Sequence, residues 1–383
     1  MHPRKIYFVA NHKSVHLLRW KKLSDICNLE VRILSTVPQD KTAGDECMHL
    51  IPSMYGIRNI PKIFNVMISG IKLRWMSKTL SGSILHAHSA SGNSMVAYMS
   101  GCPYVVTTYG SEVYCYQQYG WLSRWLMRKV LSHALCITAS SPAMAEAVKS
   151  ILGSSTQVKI HTFPLGYDSD IFQPINEDQR LQIRETYGIE DGMPVFCINR
   201  RATELYRTKE MIAGFMRYLD KGGDAYLLVI SGDADSVYLK ETENLAKIGI
   251  DSGRIQILKG IMTQKEVSDV LHISDYAISV PMTDQLSCSI LESMACGCVP
   301  ILSDIPAYGE LRDTSGAIWV SSFDPDSLSE LFKKATHSIR ANNMVLSSNV
   351  ADLVKEKYSN NVIASHVIGM YVYAYEQICA TVN

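Results

Sequence analysis

Short apolar runs alternate with helix-length amphipathic stretches along the chain. IYFVA (6–10), VRILS (31–35), ILHAH (84–88), YVVTTYG (104–110) and LCITAS (135–140) have the near-continuous apolar character of strands buried on both faces. The segments 14–26, 62–80, 91–100, 121–133 and 141–152 between them predict helices. This alternation predicts a parallel, doubly wound sheet. The pattern then restarts with PVFCINR (194–200), AYLLVISG (225–232), IQILKG (255–260), YAISVP (276–281), VPILSD (299–304) and AIWVS (317–321). Helices at 208–221, 236–248, 264–273, 287–296 and 326–340 separate this second series. FPLGYDSDIFQPINEDQR (163–180), rich in Pro, Gly and Asp, predicts a linker between the two. The Tyr-rich stretch 361–379 predicts a last helix with no strand after it. The expected fold is α/β, with two doubly wound Rossmann-like domains facing each other across a cleft. They are placed at 1–170 and 171–360, with the C-terminal helix 361–383 packed back on the first. Ligands are expected at the carboxyl ends of the strands.

Bulk properties agree with a folded two-domain chain. A length of 383 residues exceeds one ordinary core, and 47% hydrophobic with 19% charged residues is ordinary for a folded, soluble protein. No stretch reaches the roughly 18 unbroken apolar residues of a membrane span. The start, MHPRKIYFVANHKS, is too short in apolar length for a secretory signal and reads as a first buried strand. Ten cysteines show no CxxC pair and no Cys/His spacing of the zinc type, and several lie in apolar segments, as in a reduced, cytosolic protein. Net charge is zero, but residues 1–175 carry 18 Lys and Arg against 9 Asp and Glu, and the rest 19 against 28. The basic half suits an anionic surface, a membrane or an anionic acceptor. Its bases are spread out with no recognition motif, which argues against nucleic acid.

The chemistry concentrates in TDQLSCSILESMACGCVP (283–300). Ser287 is a plausible N-cap, a helix would run from Cys288 to Cys296, and Gly297 is a natural residue just past its end. Backbone amides near Ser287 would face the strand ends, ready for phosphate. Asp284 lies in the loop before the helix and Glu292 about one turn inside it. A ligand with phosphate at the helix start and hydroxyls on either side would meet both acids.

This segment resembles the Glu-x7-Glu signature of the family-4 retaining glycosyltransferases with the GT-B fold, which carry EGFG…LLEAMACGxPVI. The resemblance implies that Glu292 binds the ribose hydroxyls of a nucleotide sugar. It implies that Asp284, Leu286, Ser287 and the neighbouring Cys288 meet the donor sugar and diphosphate. Here Asp replaces the usual first Glu, and QLS replaces GFG, so the sugar contact departs from the family pattern. INRRATELYRTKEMIAGF (198–215) resembles the segment whose strand-end Arg and helix-start Lys neutralise the leaving diphosphate. Arg200 matches the Arg, with Arg201 adjacent. Lys209 matches the Lys, with Arg207 competing for that position. Two cations of this kind suit a metal-free transferase, in which the leaving group carries negative charge.

SGDADSVYL (231–239) holds an Asp-x-Asp that could ligate metal in a GT-A enzyme, but it also follows its strand as the family's Gly-Asp-Gly turn does, which places Gly232 on the donor. The turn is favoured because a GT-A enzyme needs only one strand series. IQILKGIMTQKEVSDVLHISDYAISVP resembles the family segment whose backbone lies against the nucleobase, here at Gly260 and Ile261. In the first half, ILHAHSASG puts His86 and His88 on one strand face. No third metal ligand set accompanies them, and the resemblance places His88 against donor or acceptor. TTYGSEV (107–113) resembles the family's TxHGxD loop, keeping Gly110 and Ser111, with Tyr109 for His and Glu112 for Asp, on the acceptor side. GYDSDIFQP (166–174) resembles the sequence entering the hinge. KIFNVMISGIKLRWMSK (62–78) and WLSRWLMRK (121–129) mix Trp with Lys and Arg, which suits an anionic membrane surface. A helix packed on the sheet with a solvated outer face is the rival reading.

The resemblance implies sugar transfer from a nucleoside-diphosphate donor, a UDP-sugar, to a hydroxyl of a glycan or lipid-linked acceptor. The expected setting is surface-polysaccharide assembly (capsule or lipopolysaccharide), in the cytoplasm and peripherally on the inner face of the membrane. No metal and no cofactor are expected, the nucleotide sugar being a substrate. Two alternatives stay open: a nucleotide-sugar epimerase of the same fold, and a non-catalytic sugar-nucleotide-binding subunit.

Overall fold

A computed structural model of the protein describes residues 5–37, 47–50, 62–153, 156–312 and 317–382, with the side chains of 62–63, 339–349 and 381–382 left aside. The chain divides into two compact units: Met1–Leu165 together with Asn360–Asn383, and Gly166–Ser359.

The first unit runs β1 (Ile6–Ala10), α1 (Val15–Ile26), β2 (Val31–Ser35), β3 (Cys47–His49), α2 (Lys62–Trp75), β4 (Ile84–His88), α3 (Gly92–Ser100), β5 (Tyr104–Thr107), α4 (Ser111–Tyr114), α5 (Trp121–Ser132), β6 (Cys136–Ala139), α6 (Pro142–Leu152) and β7 (Lys159–Thr162). The second follows with α7 (Glu177–Thr186), β8 (Val195–Ile198), α8 (Thr208–Asp220), β9 (Tyr226–Gly232), α9 (Ser236–Asp251), β10 (Ile255–Lys259), α10 (Gln264–His272), β11 (Tyr276–Ser279), α11 (Cys288–Ala295), β12 (Val299–Ser303), β13 (Ile318–Val320) and α12 (Pro325–Tyr358). Helix α13 (Asn360–Val382) returns to the first unit. There Cys27 Sγ meets the Ala364 carbonyl at 3.5 Å, and His366 stacks on Phe163.

Both sheets are wholly parallel, in the orders β3-β2-β1-β4-β5-β6-β7 and β10-β9-β8-β11-β12-β13. Alternation on a single strand explains the continuous apolar runs. Val195 and Cys197 of β8 enter one core cluster, while Phe196 and Ile198 enter another on the opposite face. Phe196 meets Phe215 of α8, Tyr276 of β11 and Phe332 of α12 at ring-centroid distances of 6.1, 5.2 and 4.9 Å. Helices α8 and α12 approach so closely that a Cβ at Gly214 would lie 2.3 Å from that of Leu328. In each sheet the chain reverses direction at one point, between β1 and β4 and between β8 and β11. A crevice outside the carboxyl strand ends forms there in such folds.

Three features differ from the sequence reading. Strands β3 and β7 fall where no apolar run announces them, because edge strands need bury only one face; Lys159 and Thr162 of β7 are exposed. The segment 163–180 is a packed element of the second unit from Gly166 onward, with Tyr167 and Phe172 buried in its core and α7 beginning at Glu177. The helix expected at 326–340 continues to Tyr358.

Candidate functional site

At the reversal point of the second sheet, β8 and β11 deliver Arg200 and Asp284 to the same place. The Arg200 guanidinium lies 2.8 Å from Asp284 Oδ2 through Nη2, and its Nη1 reaches Ser287 Oγ. Beneath it the Tyr206 ring lies 4.2 Å from the guanidinium carbon. Asp284 also accepts from the Tyr308 hydroxyl at 2.9 Å and from the Gln285 amide at 2.9 Å. Burial pushes the Asp284 carboxyl above its ordinary value, and the Arg200 guanidinium, Tyr308 and the Gln285 amide work against that shift. Burial also raises the Tyr308 phenol far above its ordinary value, with Asp284 adding to the shift, so Tyr308 stays a donor.

Ser287 caps α11 by accepting from the Ser289 amide at 3.2 Å. Asn199, next to Arg200, donates to the Ser289 carbonyl at 2.8 Å and ties the end of β8 to the first turn of α11. Glu292 lies on this helix, buried. Leu286 and Cys288 are buried as well, Leu286 within the apolar core, so it offers a ligand only its backbone.

The remaining residues of the second unit separate. Gly232 and Gly260 are joined by an isolated bridge at the ends of β9 and β10, both with positive φ (59° and 88°), which only glycine adopts without strain. A Cβ at Gly232 would lie 3.4 Å from Arg201, whereas one at Gly260 meets nothing within 4 Å. Ile261 beside it is 84% exposed. The Asp-x-Asp is divided between two tasks. Asp233 pairs with Arg201 at 3.3 Å, and Asp235 caps α9 by accepting from Val237 and Tyr238 amides.

Lys209 is not drawn into the Arg200 cluster. It pairs with Glu241 and lies 4.2 Å over the Tyr238 ring, both on α9. The cation at the start of α8 that reaches the β11 loop is Arg207, which donates to the carbonyls of Val280 and Pro281 at 3.3 and 3.2 Å. Arg207 adopts a left-handed backbone (φ 50°) and stacks on Phe323 at 3.9 Å. Arg207, the rival of Lys209 in the sequence, thus joins the site, and Tyr206, Asn199 and Tyr308 join it without any motif spacing. For Tyr308, the only sequence signal was a Tyr shortly after the strand that follows α11.

The first unit has a second cluster at its own reversal point. His88 Nδ1 meets the Tyr109 hydroxyl at 2.7 Å, and the Tyr109 ring stacks on His16 at 4.5 Å. His86 holds the Tyr371 hydroxyl of α13 at 2.6 Å and Thr107 at 2.7 Å. Phe8 and Trp20 pack edge-on against both histidines. Burial drives the His86 pKa down to about 3. It drives His88 well below the ordinary value too, helped by His86 and His16, so both rings are neutral. His88 Nε2 is buried and has no hydrogen-bond partner among the described residues. Glu112 accepts from the Tyr109 amide at 2.7 Å and the Ala90 amide at 3.5 Å, which pins the turn at Gly110 (φ 130°) to the end of β4. Burial raises its carboxyl, while those amides oppose the shift. Ser111 opens the short α4 on the exposed side of that turn.

Residues 179–346 match the family of glycosyl transferases group 1, and residues 72–166 match the glycosyl transferase 4-like domain. No curated protein sequence matches the chain. Among solved structures, sucrose-phosphate synthase from Thermosynechococcus elongatus is similar over 99% of this chain and 100% of its own, with a TM-score of 0.77 at 15% identity. HepE of Anabaena in complex with UDP is similar over 99% of each chain, with a TM-score of 0.72 at 12% identity. A UDP-forming α,α-trehalose-phosphate synthase from Burkholderia xenovorans is similar over 98% of this chain and 99% of its own, with a TM-score of 0.73 at 13% identity. At such identities these are likenesses of fold. Two Rossmann-like units, the two family matches and the full-length likeness to glycosyltransferase structures agree: the chain belongs to the family-4 type of glycosyltransferases with the GT-B fold.

Proposed function

We propose that this glycosyltransferase moves a sugar with retention from a UDP-sugar to a hydroxyl of a glycan or lipid-linked acceptor, without a metal ion. The observation that carries this reading is the buried Arg200 guanidinium at the strand ends of the second unit, bonded to Asp284 and Ser287, with Glu292 on the same helix as Ser287. A buried planar cation of this kind suits a diphosphate, which accepts two parallel N–H bonds. HepE, a relative in fold, was solved with UDP and with UDP-glucose.

In the proposed reaction the donor diphosphate shares Arg200 with Asp284, and the α11 amides meet the same phosphates. Glu292 accepts from the ribose hydroxyls, Gly260 and Ile261 lie against the base, and Asp284 orients the donor sugar. The bond between the anomeric carbon and the β-phosphate oxygen breaks as the acceptor oxygen bonds the same face of that carbon. The acceptor proton passes to the departing phosphate. The neutral His88, with Nε2 available, hydrogen-bonds a sugar hydroxyl, and the Tyr109–Glu112 turn serves the acceptor.

We place the reaction in the cytoplasm, in surface-polysaccharide assembly, at an anionic lipid surface. Among the described residues no helix is long and apolar enough to cross a membrane. Helix α2 turns Phe64, Met67, Ile71 and Trp75 outward along one stripe, and α5 exposes Trp121, Leu122 and Trp125. Lys72, Arg74, Lys78, Arg124, Arg128 and Lys129 accompany them, as an interfacial helix pair requires.

Incubation with a panel of nucleotide sugars and mixed glycan and polyprenyl-phosphate-linked acceptors, read by mass spectrometry, tests the function. Free UDP with a glycosylated acceptor is expected. An altered donor sugar without transfer would instead make the protein an epimerase, and binding without turnover a non-catalytic subunit.

A further inference from the structure

The zinc-type spacing missing from the sequence is created by the fold of the first unit. His12 follows β1, and Cys47 and His49 are the two ends of β3, with β2 between these strands in the sheet. One ligand atom from each of His12, Cys47 and His49 lies within 4.8 Å of the other two. The His12 and His49 rings stand 5.1 Å apart and nearly perpendicular, at 83°. We propose that His12, Cys47 and His49 bind one borderline-soft divalent cation, of the Zn2+ class, at the carboxyl edge of the first sheet.

The hydrogen bonds around the two rings support this assignment. His49 Nδ1 lies 3.0 Å from the Val37 carbonyl, which can only accept, so Nδ1 carries the proton and Nε2 holds the lone pair. His49 Nε2 is buried and has no hydrogen-bond partner among the described residues. The Ser35 hydroxyl donates to the same Val37 carbonyl at 3.1 Å, so Ser35 Oγ accepts from His12 Nδ1 at 3.0 Å. That places the His12 proton on Nδ1 as well. Both imidazoles are therefore held by an outer partner in one tautomer, an arrangement that metal-bound histidines use for orientation and basicity.

Two imidazoles and one thiolate form a donor set suited to Zn2+, with water in the fourth position. Zinc bonds of about 2.0–2.3 Å would set the ligand atoms roughly 3.5 Å apart, which small side-chain shifts reach from the present separations. Binding forms a sulfur–metal bond and releases the Cys47 thiol proton to solvent. The ion would fasten β3, a three-residue edge strand, to the turn after β1. The site uses none of the residues assigned to the nucleotide sugar, and its failure would leave that reading untouched.

The test is titration of the reduced, metal-free full-length chain with Co2+ as a spectroscopic stand-in, followed by displacement with Zn2+. One equivalent should produce a thiolate-to-cobalt charge-transfer band that Zn2+ abolishes. Cys47→Ser should lose the band, and His12→Ala and His49→Ala should weaken binding at least about tenfold. Ser35→Ala, which removes only the outer partner, should weaken it about 10–100-fold. Cys379→Ser, on an exposed cysteine, should change nothing. A wild-type chain without one-to-one binding, or an undiminished band in Cys47→Ser, overturns the site. Alkylation mapped by mass spectrometry gives a readout on the wild type alone. One equivalent of Zn2+ should protect Cys47, and unchanged labelling there contradicts the proposal.

Discussion

The two units repeat one topology and fill its reversal point with opposite chemistry. In the second, an ionised guanidinium and a carboxylate meet at 2.8 Å, steadied by Tyr308 and Tyr206. In the first, two stacked histidines, 4.4 Å apart, are kept neutral by Phe8, Trp20 and Tyr371. A parallel sheet with crossover helices fixes where a ligand is met; the residues just past each strand decide which charge it carries. In the proposed reaction the preformed cation meets a diphosphate, and the neutral polar atoms in their apolar shell meet sugar hydroxyls, offering hydrogen bonds without the desolvation cost of a charge.

The sharpest way to break this contrast is to remove the charge from the second unit. Arg200→Met should abolish transfer and lower stability by about 3–5 kcal/mol, because Asp284 is left buried without its partner. The double variant Arg200→Met/Asp284→Asn should recover stability but not transfer, as denaturant melts and turnover assays would establish. If stability and turnover fell and recovered together, the pair would be structural alone.

Acid should act on the first unit. His86 has an ordinary pKa of 6.5 and a folded value of about 3, so the unfolded chain takes up the proton more readily. Its neutral form therefore supports the fold fully above about pH 6.5, and that support is lost as the pH falls toward about 3. His86→Gln should flatten the fall of unfolding free energy across this window in chemical denaturation. A wild-type profile flat from pH 6.5 to 4 would contradict the neutral cluster.

Smaller effects separate the two cations at the start of α8. Arg207→Ala should reduce turnover several-fold by loosening the loop that carries Asp284. Lys209→Ala should reduce it less, since Lys209 is held on α9 by Glu241. The reverse order would mean that Lys209 leaves Glu241 for the diphosphate. The mildest variant, Trp75→Glu, should leave turnover on a soluble acceptor unchanged while reducing co-flotation with phosphatidylglycerol vesicles. Equal flotation with neutral vesicles would count against an anionic lipid surface.

Much of this fold was legible because both sheets are parallel and buried, so most strands are written as continuous apolar runs. β7 (KIHT) escaped because an edge strand carries no such run, and the 163–180 stretch marked the passage between the units at Leu165 and Gly166 but not the burial of Tyr167 and Phe172 in the second core. The acid pair Asp284 and Glu292 stood out by spacing around a helix start. Tyr206 and Tyr308 did not, because they reach Arg200 and Asp284 only through the folded chain, and Arg207 stood there only as the rival of Lys209. His12, Cys47 and His49 are the extreme case, brought together by strand order from residues 35 and 37 positions apart.

Calorimetric titration of UDP into the wild type and Glu292→Gln probes the nucleotide assignment most directly. The wild type should bind UDP. The variant should remain folded and bind about 1.5–3 kcal/mol more weakly, roughly tenfold to a hundredfold, as expected for loss of a charged hydrogen bond to the ribose. Equal affinity in the two proteins would contradict the placement of the nucleotide at α11.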